Sequence, residues 1–141
     1  MRCICLSIVA ALLIGLSAAR PAVAVVQFYN VFKAEYLANH PDKEYIAALT
    51  KASDKCYVCH QGKKRKNHNA FGEHLVELLD RKTDMKDVEK IKAALEKVLA
   101  MHVDPKDEKS ETYADRIKAS KWPGGELEAL KKEPAEDEAG N

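Results

Sequence analysis

The chain has 141 residues, in which 23 Lys and Arg residues nearly balance 22 Asp and Glu residues, for a net charge of +1 at pH 7. Nothing in this near-neutral balance suggests the strongly basic face and binding motif that nucleic-acid binding requires, so no nucleic-acid partner is expected. The length is that of one domain, and we expect a monomer with a single core.

The N-terminal residues have the features of a secretory signal peptide. Met1-Arg2 is followed by an apolar run, and Ala22-Val23-Ala24 provides a cleavage site of small residues. The run is short for a membrane span, and Gly, Ser, Arg and Pro residues interrupt it. We therefore expect a signal peptide over residues 1–24, cleavage after Ala24, a periplasmic or secreted protein, and no membrane span in the mature chain.

The apolar residues that follow recur with helical spacing, which predicts an all-α fold. Prolines limit two of the helices, because Pro41 stops the first and Pro105 forbids continuation of the fourth. Ser110 is the expected N-cap of the fifth helix. In chain order, the helices are expected near residues 26–38, 42–52, 71–83, 84 or 86 to 101, and 110–122.

The C-terminal residues differ in composition from the rest of the chain. Pro123-Gly124-Gly125 is followed by a segment rich in Glu, Lys and Ala, with little apolar content. Such a composition is typical of disorder. We expect a folded domain over residues 25–125 and a charged, disordered tail over residues 126–141.

The string Cys56-Tyr57-Val58-Cys59-His60 follows the second predicted helix. It is the c-type haem attachment pattern. Two thiols three positions apart lie about one helical turn from each other, so both can form thioethers with the vinyl groups of one porphyrin. His60 is then placed to bind the iron as the proximal axial ligand. The sequence therefore predicts one haem c, attached covalently through Cys56 and Cys59.

Other functions of a Cys-x-x-Cys pair fit this chain less well. A structural zinc site usually has a second ligand pair, and no cysteine follows Cys59. A thioredoxin-like pair follows a strand in a βαβ unit, a pattern that the sequence lacks. A Cys-x-x-Cys pair without a function is the alternative left open.

Residues 42–122 resemble a small, secreted bacterial mono-haem cytochrome c of class I. The likeness consists of a helix leading into the attachment string, a glycine-bearing loop, further helices and a closing aromatic-bearing helix. It implies a small helical domain wrapped around one covalently bound haem, with packing roles for Tyr113 and Trp122 where the closing helix crosses the first. The family's Gly-Pro-x-Leu is matched best by Gly72-Glu73-His74-Leu75, without the proline whose carbonyl accepts from the proximal histidine. The acceptor for His60 is therefore left open.

The resemblance also implies a distal methionine well downstream of the attachment site, for which Met101 is the expected residue. His102, in line with the apolar stripe of the fourth helix, and Met85, at the start of that helix, are the alternatives. Pro105 favours a tightened or frayed last turn, which would rotate both Met101 and His102. Three further histidines are less favoured as ligands and are interpreted as loop or partly buried residues: His40, His68 and His74.

The expected function is electron transfer by Fe(III)/Fe(II) cycling, without enzymatic activity. The available Met and His residues favour closed coordination, and a domain of this size leaves little room for a substrate pocket. A haem-based sensor or a peroxidase-like enzyme, with an open or displaceable distal position, is the alternative.

The basic cluster Lys63, Lys64, Arg65 and Lys66 comes shortly after His60. It could steer an acidic redox partner toward the haem. Solvated loop charge and contact with the acidic tail are the other interpretations.

Overall fold

The computed structural model describes residues 26–134, which are mostly helical with one small sheet. The predicted signal peptide and residues 135–141 lie outside the described residues. The helices are α1 (Val26–Phe32, continued by a π-helical turn over Lys33–Leu37), α2 (Lys43–Thr50), α3 (Ala70–Leu78), α4 (Val88–Leu99), α5 (Tyr113–Lys118) and α6 (Leu127–Leu130). A 3₁₀ turn spans Lys55–Val58, and the strands are β1 (His60–Gln61) and β2 (Asn67–His68).

Side-chain caps determine where the later helices begin. Asp87 accepts from the backbone N–H of Lys90 at 2.9 Å, so α4 begins at Val88, after the predicted start. Thr112 and Asp115 form a capping box at the start of α5. The prediction that Ser110 caps this helix is wrong, because its hydroxyl donates to backbone carbonyls of the preceding loop.

The core lies where α4 packs against both α1 and α3. Phe32 and Phe71 meet edge to face with ring centroids 6.0 Å apart, and Phe71 also contacts Tyr113 of α5 at 5.3 Å. Tyr113 is buried and Trp122 packs partly buried on the same core. These two aromatic residues thus have packing roles, although it is α4 that packs most extensively against α1.

Strands β1 and β2 form an antiparallel pair where the sequence predicts only a loop. His60 lies opposite His68, and Gln61 lies opposite Asn67. The chain reverses between the strands with Gly62 at φ 79° and Arg65 at φ 53°. Strands of two residues are too short to show a periodic pattern in sequence, which explains why the all-α prediction omits them.

The structure differs from the predicted tail over residues 126–134. Leu130 of α6 is buried, and its carbonyl accepts from the backbone N–H of Gly62 at 2.8 Å. The buried Leu130 side chain and its backbone hydrogen bond with Gly62 thus hold this segment against the loop after β1. None of the helices within residues 26–134 is long and apolar enough to cross a membrane.

The packing of α6 can be tested by comparing two leucines of the same helix. We expect Leu130→Ala to lower the free energy of unfolding by about 2–3 kcal/mol, because a buried leucine is lost. Leu127→Ala should have a smaller effect, since Leu127 is only half-buried. Urea unfolding followed by circular dichroism measures both, and equal small effects would contradict a packed α6.

Candidate haem-attachment site

The two thiols of the attachment string are placed by the 3₁₀ turn. Cys56 lies within the turn and Cys59 follows it, with the Cys59 N–H donating to the Cys56 carbonyl at 3.3 Å. The two side chains are close enough for Cys56 to affect the ionisation of Cys59. Both cysteines are free and half-buried. The turn thus places two free thiols next to each other.

Asn69, the N-cap residue of α3, joins this helix to the 3₁₀ turn by hydrogen bonds. This side chain is 2% exposed and donates to the carbonyls of Tyr57 and Val58 at 2.9 and 3.2 Å. Its Oδ1 accepts from the backbone N–H of Gly72 at 3.0 Å, which caps α3. Asn69 therefore fixes the turn and the helix relative to each other. The sequence carries an N-cap signal at this position, but the link to the turn depends on the tertiary structure.

His60 follows the thiols directly and is held in a metal-binding form. Its Nδ1 lies 3.2 Å from the backbone carbonyl oxygen of Asn67. A carbonyl only accepts, so Nδ1 carries the proton and the lone pair is on Nε2. Burial, the neighbouring His68 and Arg65 lower the pKa of His60, while the Asn67 carbonyl raises it. Metal-bound histidines commonly donate the other ring N–H to a carbonyl in this way, so Asn67 can serve as the acceptor that the sequence leaves open.

His68 lies against the face of His60. The two rings are stacked, with centroids 4.7 Å apart and planes 30° apart. His68 also places its Nδ1 3.8 Å from a carboxylate oxygen of Glu73. The structure thus places a second histidine at the site. From the sequence, His68 is interpreted only as a loop residue.

The Cys59 thiol is hard to ionise. Burial, and to a smaller extent Cys56, raises the pKa of Cys59 from 9.0 to about 12, although part of the residue surface is exposed. In the chain without haem, we expect iodoacetamide to modify Cys59 about a thousandfold more slowly at pH 7–8 than after unfolding in urea, because only the thiolate reacts. The rate should still rise between pH 9 and 11. Peptide mass spectrometry measures it, and equal rates in folded and unfolded chains would contradict the burial.

The three candidates for a distal ligand lie at different places. Because α4 ends at Leu99, its helical phase does not orient Met101 or His102. Met101 is half-buried against the core, and its carbonyl accepts from the Tyr113 N–H at 3.1 Å. His102 forms a β-bridge with Thr112. Met85 is half-buried in the loop before α4.

His102 shares one property with His60. Its Nδ1 lies 2.6 Å from the backbone carbonyl oxygen of Ser110, which leaves Nε2 with the lone pair. Met101 is linked to the attachment string only through other residues: its carbonyl accepts from Tyr113, whose ring contacts Phe71 of α3, the helix that lies against Cys59. Met101, His102 and Met85 each have a donor atom that can bind iron, so donor chemistry does not choose among them.

The residues of the basic cluster are all exposed. The Arg65 guanidinium is partly used within the protein, because it donates to the Ser53 carbonyl at 3.0 Å and lies over the Tyr57 ring. The backbone N–H of Lys64 donates to a carboxylate oxygen of Glu133 at 3.4 Å. The C-terminal segment therefore lies close to the basic cluster. Lys63, Lys64 and Lys66 carry the exposed charge of the cluster.

The donor set fits haem better than a bare metal ion. Within residues 26–134, no group of three or more His, Cys, Asp or Glu side chains could hold a metal. Haem c needs only two thiols and an axial ligand from this segment, and Cys56, Cys59 and His60 supply them. Among the described residues, the Tyr113 hydroxyl is buried without a hydrogen-bond partner.

Comparison with protein-family models, curated proteins and solved structures finds no match for this chain. The interpretation of the site therefore depends on its own residues and geometry.

Proposed function

We propose that the chain is a periplasmic or secreted mono-haem c-type cytochrome that carries electrons between partner proteins. The observation that carries the proposal is the hydrogen bond from His60 Nδ1 to the Asn67 carbonyl, directly after two free thiols on one turn. This bond leaves the Nε2 lone pair free on the residue directly after the two thiols, from which a c-type haem takes its axial ligand.

Each residue of the site has a separate task. Cys56 and Cys59 would hold the porphyrin through thioethers, and His60 Nε2 would bind the iron. The bound haem would supply one-electron Fe(III)/Fe(II) chemistry. Asn69 keeps the thiols and His60 on a rigid support, because it joins the turn to α3. Met101 is the proposed distal ligand, with His102 and Met85 as the alternatives.

The exposed lysines beside the site support a role in docking. Lys63, Lys64 and Lys66 present positive charge on the loop that follows His60. Such charge attracts an acidic redox partner and raises the encounter rate at low ionic strength. The partner's chemistry is therefore expected to be an acidic protein surface.

The proposal is tested by expressing the full chain with a c-type cytochrome maturation system. We expect haem that stays attached in denaturing alkaline pyridine, a low-spin visible spectrum, and a weak sulfur-to-iron band in the ferric protein. Met101→Ala should abolish that band, whereas Met85→Ala, the matched control, should leave it unchanged. Absence of covalent haem in the mature wild-type protein would contradict the proposal.

Carbon monoxide distinguishes a carrier from the alternatives. A carrier with two protein ligands to the iron should bind carbon monoxide slowly or incompletely at neutral pH. Full and rapid binding by the reduced wild-type protein would indicate an open distal position, and a sensor or peroxidase-like enzyme instead. A low-spin spectrum without the sulfur band would indicate His102 or another histidine as the distal ligand instead of Met101.

A further inference from the structure

Strand pairing places the ring of His68 on the proposed axial histidine. His60 and His68 are opposite each other in the antiparallel pair β1–β2, so their side chains lie on the same face of the sheet. Their rings stack at 4.7 Å, and both residues are half-buried. The contact therefore follows from the backbone register.

The stacked arrangement makes His68 unsuited to bind the same iron from the distal side. Two histidines that bind one iron in trans direct their nitrogen lone pairs toward each other through the metal. The rings of His60 and His68 instead meet face to face with planes 30° apart. His68 thus contacts the face of the proposed ligand rather than the opposite side of the metal.

The hydrogen bond to Asn67 restricts the His60 ring only in part. It fixes the tautomer, and its length of 3.2 Å tolerates some rotation of the ring plane about the bond to Cβ, a torsion that is broad for histidine. A second ring against the face of His60 restricts that rotation. Asn67 and His68 of strand β2 therefore constrain the edge and the face of the same ring.

We propose that His68 is a positioning residue that fixes the orientation of the His60 ring plane at the iron. This inference rests on the proposed function, since it assumes that His60 binds a haem. In a ferric haem, the orientation of the axial imidazole plane determines how unpaired spin is distributed over the porphyrin. The haem-methyl proton resonances report that distribution directly.

Three substitutions separate ring stacking from the other properties of His68. H68F keeps an aromatic face without ring nitrogens, H68L fills the space without an aromatic face, and H68A removes both. H74A is the matched control, because the side chains of His68 and His74 are 31% and 29% exposed. Each also has its Nδ1 3.8 Å from a glutamate oxygen.

The ferric holoproteins are compared by proton NMR after covalent haem has been quantified in the same samples. We expect H68L and H68A to change the order and spread of the haem-methyl resonances, and H68F and H74A to keep the wild-type pattern. If H68A does not retain haem, H68L compared with H68F decides the result.

Two results would overturn the inference while the proposed function stands. One is a wild-type haem-methyl pattern in both H68L and H68A. The other is a change in H68F as large as that in H68L, because stacking would then not be the relevant property. Wild-type protein without covalent haem, by contrast, would overturn the proposed function and this inference with it.

Discussion

Replacing Gly72 with alanine is expected to destabilise the protein by about 3 kcal/mol, because the new methyl group would overpack a close backbone contact. Gly72 lies in α3, directly against Cys59. A Cβ at this position would lie 2.9 Å from the Cys59 carbonyl carbon and closer still to its oxygen. Alanine would gain roughly 1 kcal/mol of helix propensity, but α3 would have to move away from the attachment turn. The steric cost therefore exceeds the gain in helix propensity, and the net effect is destabilising.

Urea unfolding of the Gly72→Ala variant measures the effect. Gly125→Ala is the control, because a Cβ there meets nothing within 4 Å and only the φ of 128° opposes it. A cost of roughly 1–3 kcal/mol is expected for that backbone strain. The covalent haem yield should fall only in the Gly72 variant, since only Gly72 touches the turn. A Gly72→Ala protein as stable as the wild type would contradict the close packing of α3.

The sequence predicts the larger helices because their apolar stripes and caps are local features. Helix α4 illustrates this, since Ile91, Leu95 and Val98 are buried as the periodicity indicates. Local pattern misleads at Ser110, where a hydroxyl suited to a helix cap is used in the preceding loop. It also misleads at Leu130, because composition alone cannot show that one leucine of a charged segment becomes buried.

The candidate site is predictable where its residues are consecutive and unpredictable where they are not. Cys56, Cys59 and His60 can be read from one string. The Asn67 carbonyl and the His68 ring reach His60 only through strand pairing, and no sequence pattern specifies a pair of two-residue strands. The residues that orient His60 therefore cannot be predicted from the sequence, although His60 itself can.

Replacing both Cys56 and Cys59 with alanine is expected to abolish covalent haem. In the proposed attachment, each thiol would add its S–H across a vinyl double bond of the haem, forming one C–S and one C–H bond, so no oxidant would be needed. Without the thiols, only axial coordination bonds such as that from His60 would hold the haem, and such bonds are lost on denaturation. The measurement is haem staining after denaturing electrophoresis, together with the mass of the intact chain.

The single variants make this prediction quantitative. Cys56→Ala and Cys59→Ala should each retain haem through one thioether at reduced yield, and the remaining free vinyl group should shift the pyridine haemochrome band to longer wavelength. Substituting Cys3 and Cys5 together is the matched control, because both lie in the predicted signal peptide and should not affect the mature haem. Covalent haem in the double variant of Cys56 and Cys59 would place the attachment elsewhere. Since each single variant would leave one vinyl group free, we expect the two single variants to give the same band shift.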